Sequence, residues 1–84
     1  MEYDKDRKIN RYYNLDEILQ LDLDLDIKNN FNEKFGKKVF FDFNDTCKVG
    51  KLCGIKKDHQ FIYYIINADN KELFIPIYQS ITKL

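Results

Sequence analysis

Six large apolar or aromatic residues follow one another without a break in Phe61-Ile62-Tyr63-Tyr64-Ile65-Ile66, with polar turn residues on both sides. Successive side chains of a strand point to opposite faces, so this run cannot be a half-wet strand of the ordinary alternating kind. Both of its faces need cover, from the rest of the chain or from a partner.

Length limits what can supply that cover. A chain of 84 residues forms one domain that buries about 60–65% of its unfolded surface, enough for one small core. Hydrophobic residues make up 44%, with seven Phe and six Tyr, so the chain folds and its core is aromatic. No apolar run approaches the ~20 residues of a membrane span. Met1-Glu2-Tyr3-Asp4-Lys5-Asp6 lacks the charged-then-apolar pattern of a signal peptide, and the expected location is the cytoplasm. Lys, Asn, Ile, Phe and Tyr fill just over half of the chain, beside one Ala, one Pro and two Arg. AT-rich codons produce that bias, which points to an AT-rich bacterium, its phage or another mobile element.

The chain divides into an arm (1–13), a helical segment (14–35) and a strand-rich part (36–84). The arm is charged and has no clean period. Asn14 is placed as a helix cap, with Glu17 three residues on as in a capping box and Leu15, Ile18 and Leu19 as an apolar stripe. Leu21-Asp22-Leu23-Asp24-Leu25-Asp26-Ile27 then alternates as a strand does, although Asp suits strands poorly. Leu15, Leu19, Leu23, Ile27, Phe31 and Phe35 also recur every fourth residue, a step that drifts about 40° each time on a 3.6-residue helix. Two helical pieces near 15–21 and 26–35, with a kink or short link between them and Gly36 past the end, satisfy both patterns.

Beyond Gly36 the period is that of strands. Lys38 to Phe43 places Val39, Phe41 and Phe43 on one face, and Asn44-Asp45-Thr46 is a turn. Lys48 to Ile55 follows, with Gly50 and Gly54 marking a bulge or tight bend. Phe61 to Asn67 and Glu72 to Ile77 come next, the last of these at an edge because Pro76 cannot donate to a ladder. A tight turn at 78–81 precedes a short strand, Thr82 to Leu84. The layout resembles small barrels of the Src-homology-three type. The spacing Gly50-Lys51-Leu52, Tyr63-Tyr64-Ile65-Ile66 and Glu72-Leu73-Phe74-Ile75-Pro76 is also similar to PRC-barrel domains. The resemblance covers residues 36–84 and implies a four- to five-stranded antiparallel β-barrel; with the N-terminal helical segments packed on it, the expected fold class is α+β. It carries no site residues over.

Chemistry-bearing patterns are few. Asp22, Asp24, Asp26, Asn30 and Glu33 fall at ligand positions of a calcium-binding EF-hand loop, but the sixth position, where the loop needs Gly, is Ile27. The reading is an amphipathic segment and no metal. Cys47 and Cys53 would lie about 20 Å apart along one strand at ~3.3 Å per residue, and zinc lacks its remaining ligands. They read as two small buried thiols in a reducing compartment. His59 is the one His and Ser80 the one Ser, no base or oxyanion element can be named for either, and no glycine pattern cradles phosphate. No cofactor is expected, and the chain is read as not an enzyme.

Two binding readings remain. Net charge is zero, yet residues 1–33 carry nine acidic and five basic side chains and residues 34–84 five and nine. In the first reading the chain is a non-catalytic protein-binding module, in the form of a phage or mobile-element inhibitor that occupies a host protein's surface. Asp16, Glu17, Asp22, Asp24 and Asp26 meet a basic groove, and Phe40, Tyr63 and Tyr64 form an aromatic patch for a partner or a second copy. In the second, Lys37, Lys38, Lys48, Lys51, Lys56 and Lys57 grip a nucleic-acid strand whose bases stack on Phe40, Tyr63 and Tyr64. Zero net charge and two Arg count against the second.

Overall fold

Asn and Asp tolerate a left-handed backbone, and two adjacent pairs of them set the hairpins of this protein. In the computed structural model, which describes residues 10–84, Asn44 and Asp45 have φ of 53° and 63°, and Asp69 and Asn70 have 56° and 62°. Positive φ at both central residues gives the turn whose twist matches that of paired strands. The first pair joins β2 (Lys38–Phe43) to β3 (Thr46–Lys57), and the second joins β4 (Ile62–Ala68) to β5 (Lys71–Pro76). With β1 (Asn10–Tyr12) and β6 (Thr82–Lys83) they form a six-stranded antiparallel sheet, and helices α1 (Leu15–Leu19) and α2 (Leu25–Lys34) make the fold α+β.

The strand order is β5-β4-β3-β2-β6, with β1 beside β3. This sheet is not closed, so the expected barrel does not form. β6 is two residues long and lies along β2, at the opposite end of the order from β5. β5 is an edge strand as Pro76 requires. The long β3 organises everything else. Its first half pairs with β2, its second half with β1 on the same side, and β4 runs along the other side. The register shifts between Leu52 and Gly54, a bulge that bends the strand where its partner changes.

Helices do not come first in the fold. Residues 10–12 belong to the expected irregular arm, but they pair with Lys57, Lys56 and Ile55. The edge that β2 leaves uncovered beyond the bulge has backbone groups to satisfy, and β1 meets them. Gly54 makes this approach feasible, because a Cβ there would sit 2.2 Å from the Tyr12 carbonyl oxygen. The rest of the arm, residues 1–9, lies outside the described residues.

Asn14 caps α1: its Oδ1 accepts from the Glu17 N–H at 3.1 Å. The alternating stretch resolves into an irregular link at residues 20–24 followed by α2, neither one helix nor a strand. Because α2 runs through Lys34, residues 25–33 are helical and the calcium-loop pattern describes no loop. Gly36, with φ of +77°, leads out of the helix.

Ile18 and Phe31 from the helices pack with Val39, Phe41, Leu52, Ile55, Tyr64, Ile66, Ile75 and Ile81 in one core. Each fully buried Ile or Phe there stabilises the fold by about 2–3 kcal/mol. Phe31 lies parallel to Tyr64 with centroids 6.4 Å apart, and the Tyr64 hydroxyl accepts from Asn30 Nδ2 at 3.0 Å. Tyr64 is therefore buried, and its expected place in a docking patch does not hold: the ring joins sheet to helix. The helices cover this face of the sheet alone.

Candidate interaction surface

Directly opposed residues of an antiparallel pair share a face, so the register fixes what lies on the side away from the helices. Five rows cross it. Arg11, Lys56, Tyr63 and Pro76 form one; Gly54, Ile65 and Phe74 the next; then Lys38, Lys51, Asn67 and Glu72; then Thr82, Phe40 and Val49; and finally Asp42 and Cys47.

The half of this face around β4 and β5 is covered by its own side chains. Ile65 is 0% exposed although it lies outside the main core. Tyr13 lies over Gly54, where a Cβ would come within 3.2 Å of its Cδ1, and its hydroxyl donates to Glu72 Oε2 at 2.8 Å. The side chain thus reaches from β3 to β5 across β4, above Ile65. Lys56 Nζ stands 4.4 Å from the Phe74 ring centroid and 5.0 Å from that of Tyr63, and the Arg11 guanidinium is 5.6 Å from Phe74. Cations over aromatic faces close the remaining gap. Partial desolvation of a ring that is still 47% exposed, then the bond to Glu72 and its charge, raise the Tyr13 pKa.

The other half is open. Phe40 is 37% exposed and Val49, directly opposite it, 50%. Continuing the β2–β6 register places Leu84 beside Lys38, whose carbonyl accepts from the Leu84 N–H at 3.1 Å, and Leu84 is 65% exposed. Lys38 and Lys51 stand opposite each other next to this apolar group, and Cys47, expected to be buried, borders it exposed because the register places it on this open face.

The expected nucleic-acid set is divided by the fold. Lys38, Lys51 and Lys56 lie on this face, Lys48 and Lys57 share the helix-facing side with Phe41 and Ile62, and Lys37 is in the turn before β2. Among the proposed stacking rings, Tyr64 is buried and Tyr63 carries Lys56 on its face; Phe40 alone is open. Asp16, Glu17, Asp22, Asp24 and Asp26 are all exposed on the helical side, so they do not join the aromatic patch. Val49 and Leu84 were not expected here. Val49 was within reach of the sequence, because counting outward from a two-residue Asn44-Asp45 turn pairs it with Phe40.

Cys53 is half-buried, its Sγ 3.4 Å from the Ile65 carbonyl, and burial followed by the charge of Glu72 raises its pKa. Asp58 accepts from the backbone N–H groups of Phe61 and Gln60, which lower its pKa and order the turn that holds His59. Among the described residues no three His, Cys, Asp or Glu side chains gather as metal ligands, and no helix is long and apolar enough to cross a membrane. Comparison with protein families, curated proteins and solved structures finds no match.

Proposed function

We propose that this protein is a non-catalytic protein-binding module whose docking surface is the open half of the sheet, around Phe40 and Val49. One observation carries the reading: a single sheet face is covered by its own side chains over one half and left apolar and exposed over the other. An apolar centre with a polar rim is the anatomy of a protein interface. A phage or mobile-element inhibitor that occupies a host protein is the form of module that the residue bias fits.

Capture from a low-GC bacterial lysate tests this when wild type is run beside Phe40→Asp. A protein retained by wild type and lost with the variant, at an unchanged melting temperature, supports the reading. Retention by both overturns it.

The second reading is a nucleic-acid binder, favoured by Lys38 and Lys51 beside Phe40. It requires oligonucleotide affinity that falls steeply between low and moderate salt as phosphate counterions are released. No binding at low salt removes it.

A further inference from the structure

The outer edge of β5 ends the sheet on one side, and the register fixes where its backbone groups point. The Ile77 N–H donates to the Ile62 carbonyl at 3.2 Å, which makes these two a bonded pair at the end of the β4–β5 ladder. Bonded and non-bonded pairs alternate along an antiparallel ladder. Ile75 and Leu73 therefore exchange bonds with Tyr64 and Ile66, while Glu72, Phe74 and Pro76 turn their backbone groups away from β4.

Part of that edge is closed. Pro76 has no N–H, and its carbonyl accepts from the Gln79 N–H at 2.9 Å. The Gln79 side chain serves the opposite edge as well, donating from Nε2 to the Asp42 carbonyl of β2 at 2.7 Å. What remains on β5 is the N–H and C=O of Glu72 and of Phe74, and among the described residues nothing pairs with them. Two donors and two acceptors in a row on a sheet edge are a template for another strand.

We propose that the occupant of this edge is β5 of a second copy of this chain, paired antiparallel about a two-fold axis at Leu73, so that two sheets join into one. The proposal goes beyond the reading of the open half and does not depend on it. Setting Glu72 opposite Phe74 of the second copy satisfies all four open groups of each chain, because opposed residues of a bonded pair exchange both N–H···O bonds. Sliding to set Phe74 against its own counterpart brings Glu72 opposite Pro76, which has no donor and whose carbonyl is taken. Sliding the other way sets Glu72 against Glu72, where like charges repel, and Phe74 against the turn residue Asn70, whose φ is 62°. The first register also matches charge. Opposed residues share a face, so the Glu72 carboxylate comes beside the ring of Phe74 of the second copy, which Lys56 Nζ and the Arg11 guanidinium of that copy approach to 4.4 and 5.6 Å. Within its own chain this carboxylate accepts from Tyr13 and, among the described residues, pairs with no cation. On the other face Leu73 meets its counterpart across the axis. Each chain uses its β5 edge once, so the contact closes at a dimer.

Sedimentation velocity on the full chain up to about 1 mM protein, with amide hydrogen exchange at the same concentrations, tests this. The expected species is a dimer that grows no further. Where about nine chains in ten are paired, exchange at the Glu72 and Phe74 amides slows by about tenfold, because it proceeds through the free monomer. Glu72→Pro removes one outward N–H and no bond to β4, and it abolishes the dimer. Glu72→Lys keeps the backbone groups but sets a cation beside Lys56 and Arg11 of the second copy, and it weakens the dimer by roughly tenfold. Tyr13→Phe loses the bond to Glu72 and keeps the edge, so it leaves the dimer intact. Melting curves verify that each variant folds. Wild type that stays monomeric overturns the proposal, as does a dimer whose Glu72 and Phe74 amides exchange as fast as in the monomer. A dimer lost with Phe40→Asp but kept by Glu72→Pro overturns it too, and assigns self-association to the open half instead.

Discussion

The two halves of the sheet's outer face have similar backbone and opposite fates. Around Ile65 the face is roofed by Tyr13, Phe74, Lys56 and Arg11; around Phe40 and Val49 nothing among the described residues lies over it. The break between them falls at the bulge of β3, where the neighbouring strand changes from β2 to β1. A strand that brings Arg11 and Tyr13 with it supplies cover, and the half that β1 does not reach goes without. Substitutions in the covered half should therefore cost stability, and those in the open half should cost association.

The largest effect is expected from Ile65→Ala. Truncating this fully buried side chain should lower unfolding free energy by about 3 kcal/mol, read from urea denaturation. A cost below ~1 kcal/mol would mean that the roof over Ile65 is loose and the two halves differ little. Gly54→Ala comes next. Its Cβ would be 2.2 Å from the Tyr12 carbonyl oxygen, so β1 must move, at about 2 kcal/mol. Hydrogen exchange should then accelerate at residues 10–12 and in the second half of β3, while β2 keeps its protection.

Tyr64→Phe gives a middle value and a pH signature. Losing the bond from Asn30 should cost about 1 kcal/mol at neutral pH. Burial raises the Tyr64 pKa against the opposing bond from Asn30. A phenol whose pKa rises on folding keeps its proton longer in the folded chain. Its stabilisation is whole below the unfolded value near ~10 and is lost as pH climbs through the folded one. The variant should therefore lose stability less steeply above pH ~10 than wild type does. Smallest of all, Phe40→Ser should change stability by less than ~0.5 kcal/mol, since an exposed side chain away from caps and cores seldom does more.

Much of this contrast could be read in the sequence. Asn44-Asp45 and Asp69-Asn70 announce the hairpins, Pro76 the edge, Asn14 and Glu17 the start of α1. The run at 61–66 announces a strand covered on both faces, and from Ile62 onward its cover is internal: Ile62, Tyr64 and Ile66 face the helices, while Tyr63 and Ile65 lie under Lys56 and Tyr13; Phe61 precedes β4 and is 50% exposed. What could not be read depended on long-range placement. Residues 10–12 have no period, and only the free edge of β3 makes them a strand. Tyr63 and Tyr64 are identical in the sequence, and register alone sends one to the core and the other to the outer face. Barrel closure depends on where the end strands lie, and a two-residue β6 gives no pattern from which to tell. Lysines at 48, 51, 56 and 57 look like one patch until the bulge and the pleat assign them to two sides.

Cys47 offers the most direct test of the claim that the open half is where a partner sits. It is exposed and borders the Phe40–Val49 row, whereas Cys53 is half-buried beside Ile65. The alkylation rate of Cys47 should be measured with and without a saturating concentration of the captured protein. The account predicts a several-fold slower reaction at Cys47 in the complex and little change at Cys53. An unchanged rate at Cys47 with the partner fully bound would contradict it.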